Sequence, residues 1–139
     1  KDKNILTTID INKIIQTDFL TISSEENLEK LVDLISHSNQ VIFAVVDNEN
    51  QLLGIVHFND IREIIFSNFK VKYTRVHEIM CQPKEIIYPT DTMETVMNKF
   101  EISKVAFLPV LKNNKYFGFI SKSIALEAYR MKLKSMTVE

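Results

Sequence analysis

The chain contains only two glycines, Gly54 and Gly118, and they lie 64 residues apart in matching surroundings. At that offset Phe43-Ala-Val-Val-Asp47 faces Phe107-Leu-Pro-Val-Leu111, and Leu53-Gly-Ile-Val56 faces Phe117-Gly-Phe-Ile120. Upstream the offset becomes 65: Leu28, Leu31, Val32 and Ile35 face Met93, Val96, Met97 and Phe100, and Ile14-Ile15 face Ile79-Met80. One deletion between helix and strand accounts for the step. Apolar positions coincide by chance in a chain that is 45% hydrophobic. Glycines, turn lengths and helix stripes together do not, so the chain is an internal duplication.

Each copy reads in the same order. Phe19–Ile22 and Glu85–Tyr88 are short strand candidates. A helix follows each, with apolar residues at i, i+3, i+4 and i+7 from Leu28 and from Met93. Capping boxes are expected at Ser23 with Glu26 and at Asp91 with Glu94. Two strands then flank the polar turns Asp47-Asn-Glu-Asn50 and Lys112-Asn-Asn-Lys115. A second helix begins near Asn59 and near Ser123. The pattern is β-α-β-β-α, twice, with the polar, basic stretch Phe69–Arg75 as linker. The expected organisation is a lead-in and short helix over 1–15, a first repeat over 16–68, a linker over 69–78, a second repeat over 79–134 and a tail over 135–139.

Length bounds what such a duplication can do. A chain of 139 residues buries about 68–70% of its extended surface, whereas a unit of about 60 is marginal alone. The copies should therefore depend on each other. Charged residues make up 25% and the net charge is −1 with mixed signs, so no basic stripe points to nucleic acid. The single cysteine, Cys81, cannot form an internal disulfide and fits a reducing compartment. Val41–Val46 and Ala106–Leu111 fall far short of the roughly 20 apolar residues that cross a bilayer, and no signal peptide is visible. The chain starts at Lys1 without Met, as a piece of a longer protein would.

In this order, and duplicated, the segments resemble the CBS domain family. His77-Glu-Ile-Met80 resembles the family's lead-in, a helical turn ending in an apolar residue and Met. Phe43-Ala-Val-Val-Asp47 and Phe107-Leu-Pro-Val-Leu111 resemble its second strand, Gly54-Ile-Val and Gly118-Phe-Ile its third. The resemblance covers nearly the whole chain. It implies an α+β fold of two β-α-β-β-α CBS repeats related by pseudo-two-fold symmetry, packed sheet to sheet with helices outside.

A finer likeness is to the cytosolic C-terminal part of bacterial ClC-type chloride channels. It rests on Lys1-Asp-Lys-Asn-Ile-Leu-Thr7, Ile14-Ile-Gln-Thr-Asp-Phe19, Gly118-Phe-Ile-Ser-Lys-Ser123, Tyr129-Arg130 and Leu133-Lys134. That likeness implies a non-catalytic regulatory pair at the cytoplasmic face of the inner membrane, modulating ion transport and dimer assembly. Its partners would be the transmembrane part of the same parent chain and a second copy met through Glu26–His37 and Thr92–Lys99. The chain itself would not insert into the bilayer. The alternative is an adenine-nucleotide-sensing pair that regulates another transporter or a metabolic enzyme.

The family's nucleotide motif is Gly, apolar, any, Ser/Thr, any, any, Asp. Its carboxylate accepts two ribose hydroxyls, and its hydroxyl lies near phosphates at a helix N-terminus. Here the motif is divided between the copies. Gly54-Ile-Val-His-Phe-Asn-Asp60 keeps Asp60 but has His57 at the hydroxyl position. Gly118-Phe-Ile-Ser-Lys-Ser-Ile124 keeps Ser121 but has Ile124 where the carboxylate belongs. A hydrogen bond to a charged group contributes about 1.5–3 kcal/mol, so its loss weakens binding roughly 10- to 150-fold. The resemblance thus implies weak binding of ATP, ADP or AMP near Asp60 and His57, with Ser121, Lys122 and Ser123 as further candidates. Each also has a plainer reading. Asp60 is an acid in a helix's first turn, His57 a strand-end residue, Ser121 and Ser123 local caps, Lys122 a solvated lysine.

No catalytic or metal site is expected. Gly-x-Ser-x-Gly, a phosphate-binding loop and His-Glu-x-x-His are all missing from the sequence. His77 and Cys81 lie four apart, but two ligands do not close a zinc site and His37 has no fixed relation to them.

Overall fold

The computed structural model describes residues 8–137. The lead Lys1-Asp-Lys-Asn-Ile-Leu-Thr7 and the last two residues of the tail lie outside the described residues. The chain is α+β and forms two compact units.

The first unit comprises Asp18–Pro83 and Asn114–Tyr116. Its sheet has the order β1 (Thr21–Ser23), β2 (Ile42–Val46), β3 (Leu52–His57). β1 runs parallel to β2 with Ile22 opposite Val45, and β2 runs antiparallel to β3 with Val45 opposite Gly54. β2 is central and all five of its residues are buried, which explains a continuous apolar run without alternation. Helix α1 (Leu28–Ser36) connects β1 to β2, and its Leu28 and Leu31 join Phe43, Val45 and Val56 in the core. Each such side chain contributes about 1.5–3 kcal/mol through burial. The turn after β2 is tied by Asp47, whose Oδ1 accepts from the Glu49 and Gln51 N–H groups at 2.9 Å each.

After β3 come α2 (Phe58–Ile61), a 3₁₀ turn Ile64–Phe66, α3 (Asn68–Tyr73) and α4 (Val76–Ile79). The stretch Phe69–Arg75, read above as linker, thus carries most of a helix. Ser67 starts it by accepting from the Lys70 N–H at 3.2 Å, and Val71 packs on the core. The lead-in around His77–Met80 is helical turn α4, followed by Met80 in extended conformation.

The second unit comprises residues 8–17, Lys84–Asn113 and 117–137. A 3₁₀ turn, Ile11–Lys13, opens it. Asp10 Oδ1 accepts from both the backbone N–H and the side-chain amide of Asn12 at 3.0 Å, which holds its carboxyl below the usual carboxylate range. Helix α5 (Met93–Ser103) packs Met93, Val96 and Phe100 against Leu108, Val110 and Ile120 of the hairpin β4 (Phe107–Lys112) and β5 (Lys115–Ser121). The hairpin turns at Asn113 and Asn114, with φ of 53° and 64°. Both lie in the left-handed region that a two-residue turn needs to match strand twist, and asparagine tolerates it. Helix α6 (Lys122–Thr137) closes the unit.

Three expectations need correction. The Ser23–Glu26 box does not form: Ser23 ends β1 and its Oγ accepts from the Glu25 N–H, while Asn27 caps α1 through the Glu29 N–H at 3.0 Å. The Asp91–Glu94 box fails by one residue. Thr92 caps α5 through the Thr95 N–H at 3.2 Å, and Asp91 instead accepts from the Tyr88 N–H and pairs with Lys99 at 2.9 Å. The polar run before a helix offers several oxygens, and local backbone geometry chooses among them.

The third correction concerns the strands. The first begins and ends later than Phe19–Ile22, at Thr21–Ser23. Glu85–Tyr88 is no strand but a single parallel bridge, Ile87 with Val110. Ile87 donates to the Pro109 carbonyl at 2.9 Å and accepts from the Leu111 N–H at 3.0 Å. The next rungs in a parallel ladder would need N–H groups from residues 109 and 89. Both are proline, so neither can donate.

Both glycines sit at the same kind of backbone crossing. In the first unit Ile55 and Cys81 exchange backbone hydrogen bonds at 2.8 and 2.9 Å. In the second, Gln16 and Phe119 do so at 2.8 and 3.0 Å. A Cβ on Gly54 would lie 2.8 Å from Met80 Sδ and 3.0 Å from the Cys81 carbonyl oxygen; on Gly118, 2.3 Å from the Gln16 carbonyl oxygen. The residues after the glycines are 64 apart and their partners 65 apart, the two offsets of the duplication. Each lead-in therefore packs in the unit that holds the other copy's strands.

Candidate functional site

The site residues fall at two β-to-α turns, one in each unit. In the first, β3 ends at His57 and α2 begins at Phe58. His57 Nδ1 accepts from the Asn59 N–H at 3.1 Å. The ring thus acts as the helix cap, which requires its proton on Nε2. Asn59 in turn accepts from Arg62 through Oδ1, and the Arg62 guanidinium lies 5.8 Å from the Phe58 ring centroid. Asp60 is exposed in the first turn of α2, with no hydrogen-bond or ion-pair partner among the described residues. Its carboxylate is open to a ligand that offers hydroxyl or N–H donors.

At the second turn, Ser121 is buried at the end of β5. Its Oγ accepts from the Ile124 N–H at 3.0 Å and lies 3.2 Å from Ser123 Oγ. Ser121 is the cap of α6, and one of its lone pairs is already in use. The Lys122 N–H donates to the Ala106 carbonyl at 2.8 Å, and Ser123 is exposed. Ile124 is 37% exposed and offers no polar atom where a carboxylate would stand.

Asp60 and His57 therefore share one turn, as do Ser121, Lys122 and Ser123. Within each turn, the residue at the motif's hydroxyl position is engaged by the helix start. Sequence reading missed Asn59, which links the His57 cap to Arg62. Its position two residues after a potential cap was the available signal. Among the described residues no three His, Cys, Asp or Glu side chains gather as metal ligands, and no helix is long and apolar enough to cross a membrane.

Two crossings with one glycine each, two capped β-to-α turns and a repeated α-β-β order define a tandem module. The CBS domain model matches residues 10–67 and again 76–130, and the chain belongs to the CBS domain family. It is similar to a homoserine O-acetyltransferase of Methanococcus vannielii, 27% identical over 112 residues, 80% of this chain and 23% of that protein. An inosine-5'-monophosphate dehydrogenase of Methanocaldococcus jannaschii is 22% identical over 111 residues, 79% of this chain and 21% of that protein. The chain spans less than a quarter of the length of these curated relatives. Among solved structures, the CBS domain of a bacterial CNNM/CorC-family Mg2+ transporter in complex with ATP has a TM-score of 0.81 at 15% identity, over 93% of this chain and 92% of that one. CbpB in complex with c-di-AMP has a TM-score of 0.77 at 17% identity, over 98% and 94%. At these identities the likeness is one of fold. A CBS pair is in general a regulatory module, found in proteins as different as these.

Proposed function

We propose that the chain is an adenine-nucleotide-responsive regulatory module of a longer protein, with the Asp60 turn as its ligand-bearing half. The observation that carries this reading is the open carboxylate of Asp60, held in place by a capped turn yet without a partner among the described residues. Ribose supplies two adjacent hydroxyl donors, which one carboxylate can accept together. Both solved relatives hold adenine compounds, ATP and c-di-AMP. Ile124 leaves the Ser121–Ser123 turn without that acceptor, so Ser121, Lys122 and Ser123 serve this half mainly as a helix start. Binding is weak because His57 is engaged as a cap and offers no hydroxyl.

Calorimetry with ATP, ADP, AMP and S-adenosylmethionine tests the reading. Heat at submillimolar ligand is expected, with Asp60→Asn weakening binding roughly 10- to 150-fold. No heat at millimolar ligand for any of the four ends it.

For the parent we propose a membrane transport protein of the ClC chloride type, with this module as a homodimeric element at its cytoplasmic face. Ile14-Ile-Gln-Thr-Asp-Phe19 and Gly118–Ser123 support it by likeness, and the Mg2+ transporter relative shows that CBS pairs occur on transport proteins. Residues 16–68 and 79–134 would be its two repeats. Ten or more apolar spans in the reading frame before Lys1 are expected; a soluble catalytic domain there would overturn this parent.

A further inference from the structure

Helix α3 and the turn before it turn their largest apolar groups outward. Phe66 is 83% exposed, Phe69 72% and Tyr73 63%, the most exposed aromatic side chains among the described residues. Only Val71 of this helix packs on the core. The Phe69 and Tyr73 rings lie against each other, centroids 4.8 Å apart, and Lys72 Nζ stands 5.6 Å from the Tyr73 centroid. Lys70, Lys72 and Arg75 are exposed beside them, with Arg62 a little upstream. No acidic residue lies between Glu63 and Glu78 in the sequence, and the exposed Glu25 and Glu26 adjoin the far end of the patch, where Arg75 Nη1 donates to the Glu25 carbonyl at 3.0 Å and the Val76 N–H to the Glu26 carbonyl at 2.8 Å. A chain of net charge −1 has thus placed three cations and three bare aromatic rings within ten residues.

Bare rings of this kind need a cover, and charge narrows the choice. A second copy meeting through the same patch would bring the Lys70 and Lys72 charges of both copies into one small contact, since a two-fold contact uses the same surface twice. Three rings of this exposure offer roughly 300–500 Å² of apolar area, and a folded acidic partner would have to place its carboxylates to match each cation around them. An anionic bilayer surface needs neither a matched cavity nor a large face. Phe and Tyr settle at the headgroup boundary, while Lys and Arg lie along it and reach lipid phosphates and carboxylates.

We propose that Phe66, Phe69 and Tyr73, together with Lys70 and Lys72, form a peripheral docking patch for an anionic membrane surface. This rests on neither the nucleotide reading nor the identity of the parent. The contact is shallow and electrostatically steered, so it weakens with salt over the range in which the Debye length contracts from about 30 Å to 8 Å.

The test is co-sedimentation of the full chain with vesicles of phosphatidylcholine alone and of phosphatidylcholine with phosphatidylserine. Binding is expected only to the anionic vesicles and to fall as salt rises. Lys70→Glu with Lys72→Glu should weaken it by about 30-fold or more, taking a factor of about 5 per lysine lost from the surface. Phe66→Ser with Phe69→Ser should weaken it with the charge unchanged. Every substituted side chain is exposed, so circular dichroism should show the fold kept in both variants; the milder Lys70→Gln with Lys72→Gln serves if it is not. No sedimentation with anionic vesicles at low salt overturns the proposal, and so does binding that both double variants leave unaltered. Self-association that disappears in Phe66→Ser with Phe69→Ser, without vesicle binding, would assign the patch to a second copy instead.

Discussion

A methyl group on Gly118 would sit 2.3 Å from a backbone oxygen, that of Gln16, which is itself held by the Phe119 hydrogen bonds. A methyl group on Gly54 would first meet the thioether of Met80, a side chain with several rotatable bonds, at 2.8 Å. The two glycines look equivalent in sequence, yet their tolerance should differ. Gly118→Ala is expected to destabilise by about 3 kcal/mol and Gly54→Ala by about 1–2 kcal/mol, the range of overpacking in a filled core. Urea unfolding of both variants measures this, and equal losses would contradict it. Tyr116 offers a second residue-level check. It is 8% exposed, and burial, helped by the negative charge of Asp18, pushes its phenol above the ordinary tyrosine value. A group whose pKa is higher folded than unfolded adds stability that is whole below the unfolded value, about 10, and is lost as pH rises through the folded one. Phenolate absorbance should therefore show one of the four tyrosines ionising well after the rest, and Tyr116→Phe should remove that late step.

The elements differ in how much of them the sequence announces. Both long apolar stripes were legible: Leu28 and Leu31 are buried on α1, and Met93, Val96 and Phe100 on α5. Periodicity sums over many residues, so one error does little damage. Caps hang on single residues, which is why Asn27 and Thr92 displaced Ser23 and Asp91. The Glu85–Tyr88 strand failed for a reason present in the sequence but hidden without a register, because Pro89 and Pro109 matter only once Ile87 is known to face Val110. The end of α5 shows another choice that pattern does not reveal. Lys104 closes the helix in the left-handed conformation, φ 58° and ψ 30°, where glycine is the usual residue. A side chain there costs roughly 1–2 kcal/mol. Lys104→Gly should accordingly raise stability by about 0.5–1 kcal/mol, even though glycine loses more chain entropy on folding. It also removes only a weak, exposed contact to Glu101. Denaturant midpoints decide the matter, and a loss of stability would show that the lysine stem packs usefully.

At the scale of the whole molecule the duplication was legible, but the assignment of lead-ins to units was not. The Gln16–Phe119 bridge joins residues more than a hundred positions apart, and a repeat pattern does not say which copy a segment pairs with. The two motif halves diverged in complementary ways, and this yields the sharpest test of the functional reading. If Asp60 is the acceptor that makes its turn a ligand site, saturation should occur at one nucleotide per chain, since Ile124 occupies the matching position of the other copy. Ile124→Asp would complete the pattern Gly118, Phe119, Ile120, Ser121 with an acid three residues further on. Position 124 is 37% exposed, so the new carboxylate needs no burial. The competing effect is structural. An acid at this position of a serine-capped helix can close a capping box and stabilise α6 by itself. The two outcomes separate cleanly. A second acceptor raises the calorimetric stoichiometry from one to two, and the second event survives Asp60→Asn. A capping box raises the thermal midpoint without ligand and leaves the stoichiometry at one. Should Ile124→Asp bind no second nucleotide while Asp60→Asn still weakens the first, the second turn lacks more than a carboxylate. Ser121, already bonded to the Ile124 N–H, would then be the group to free next.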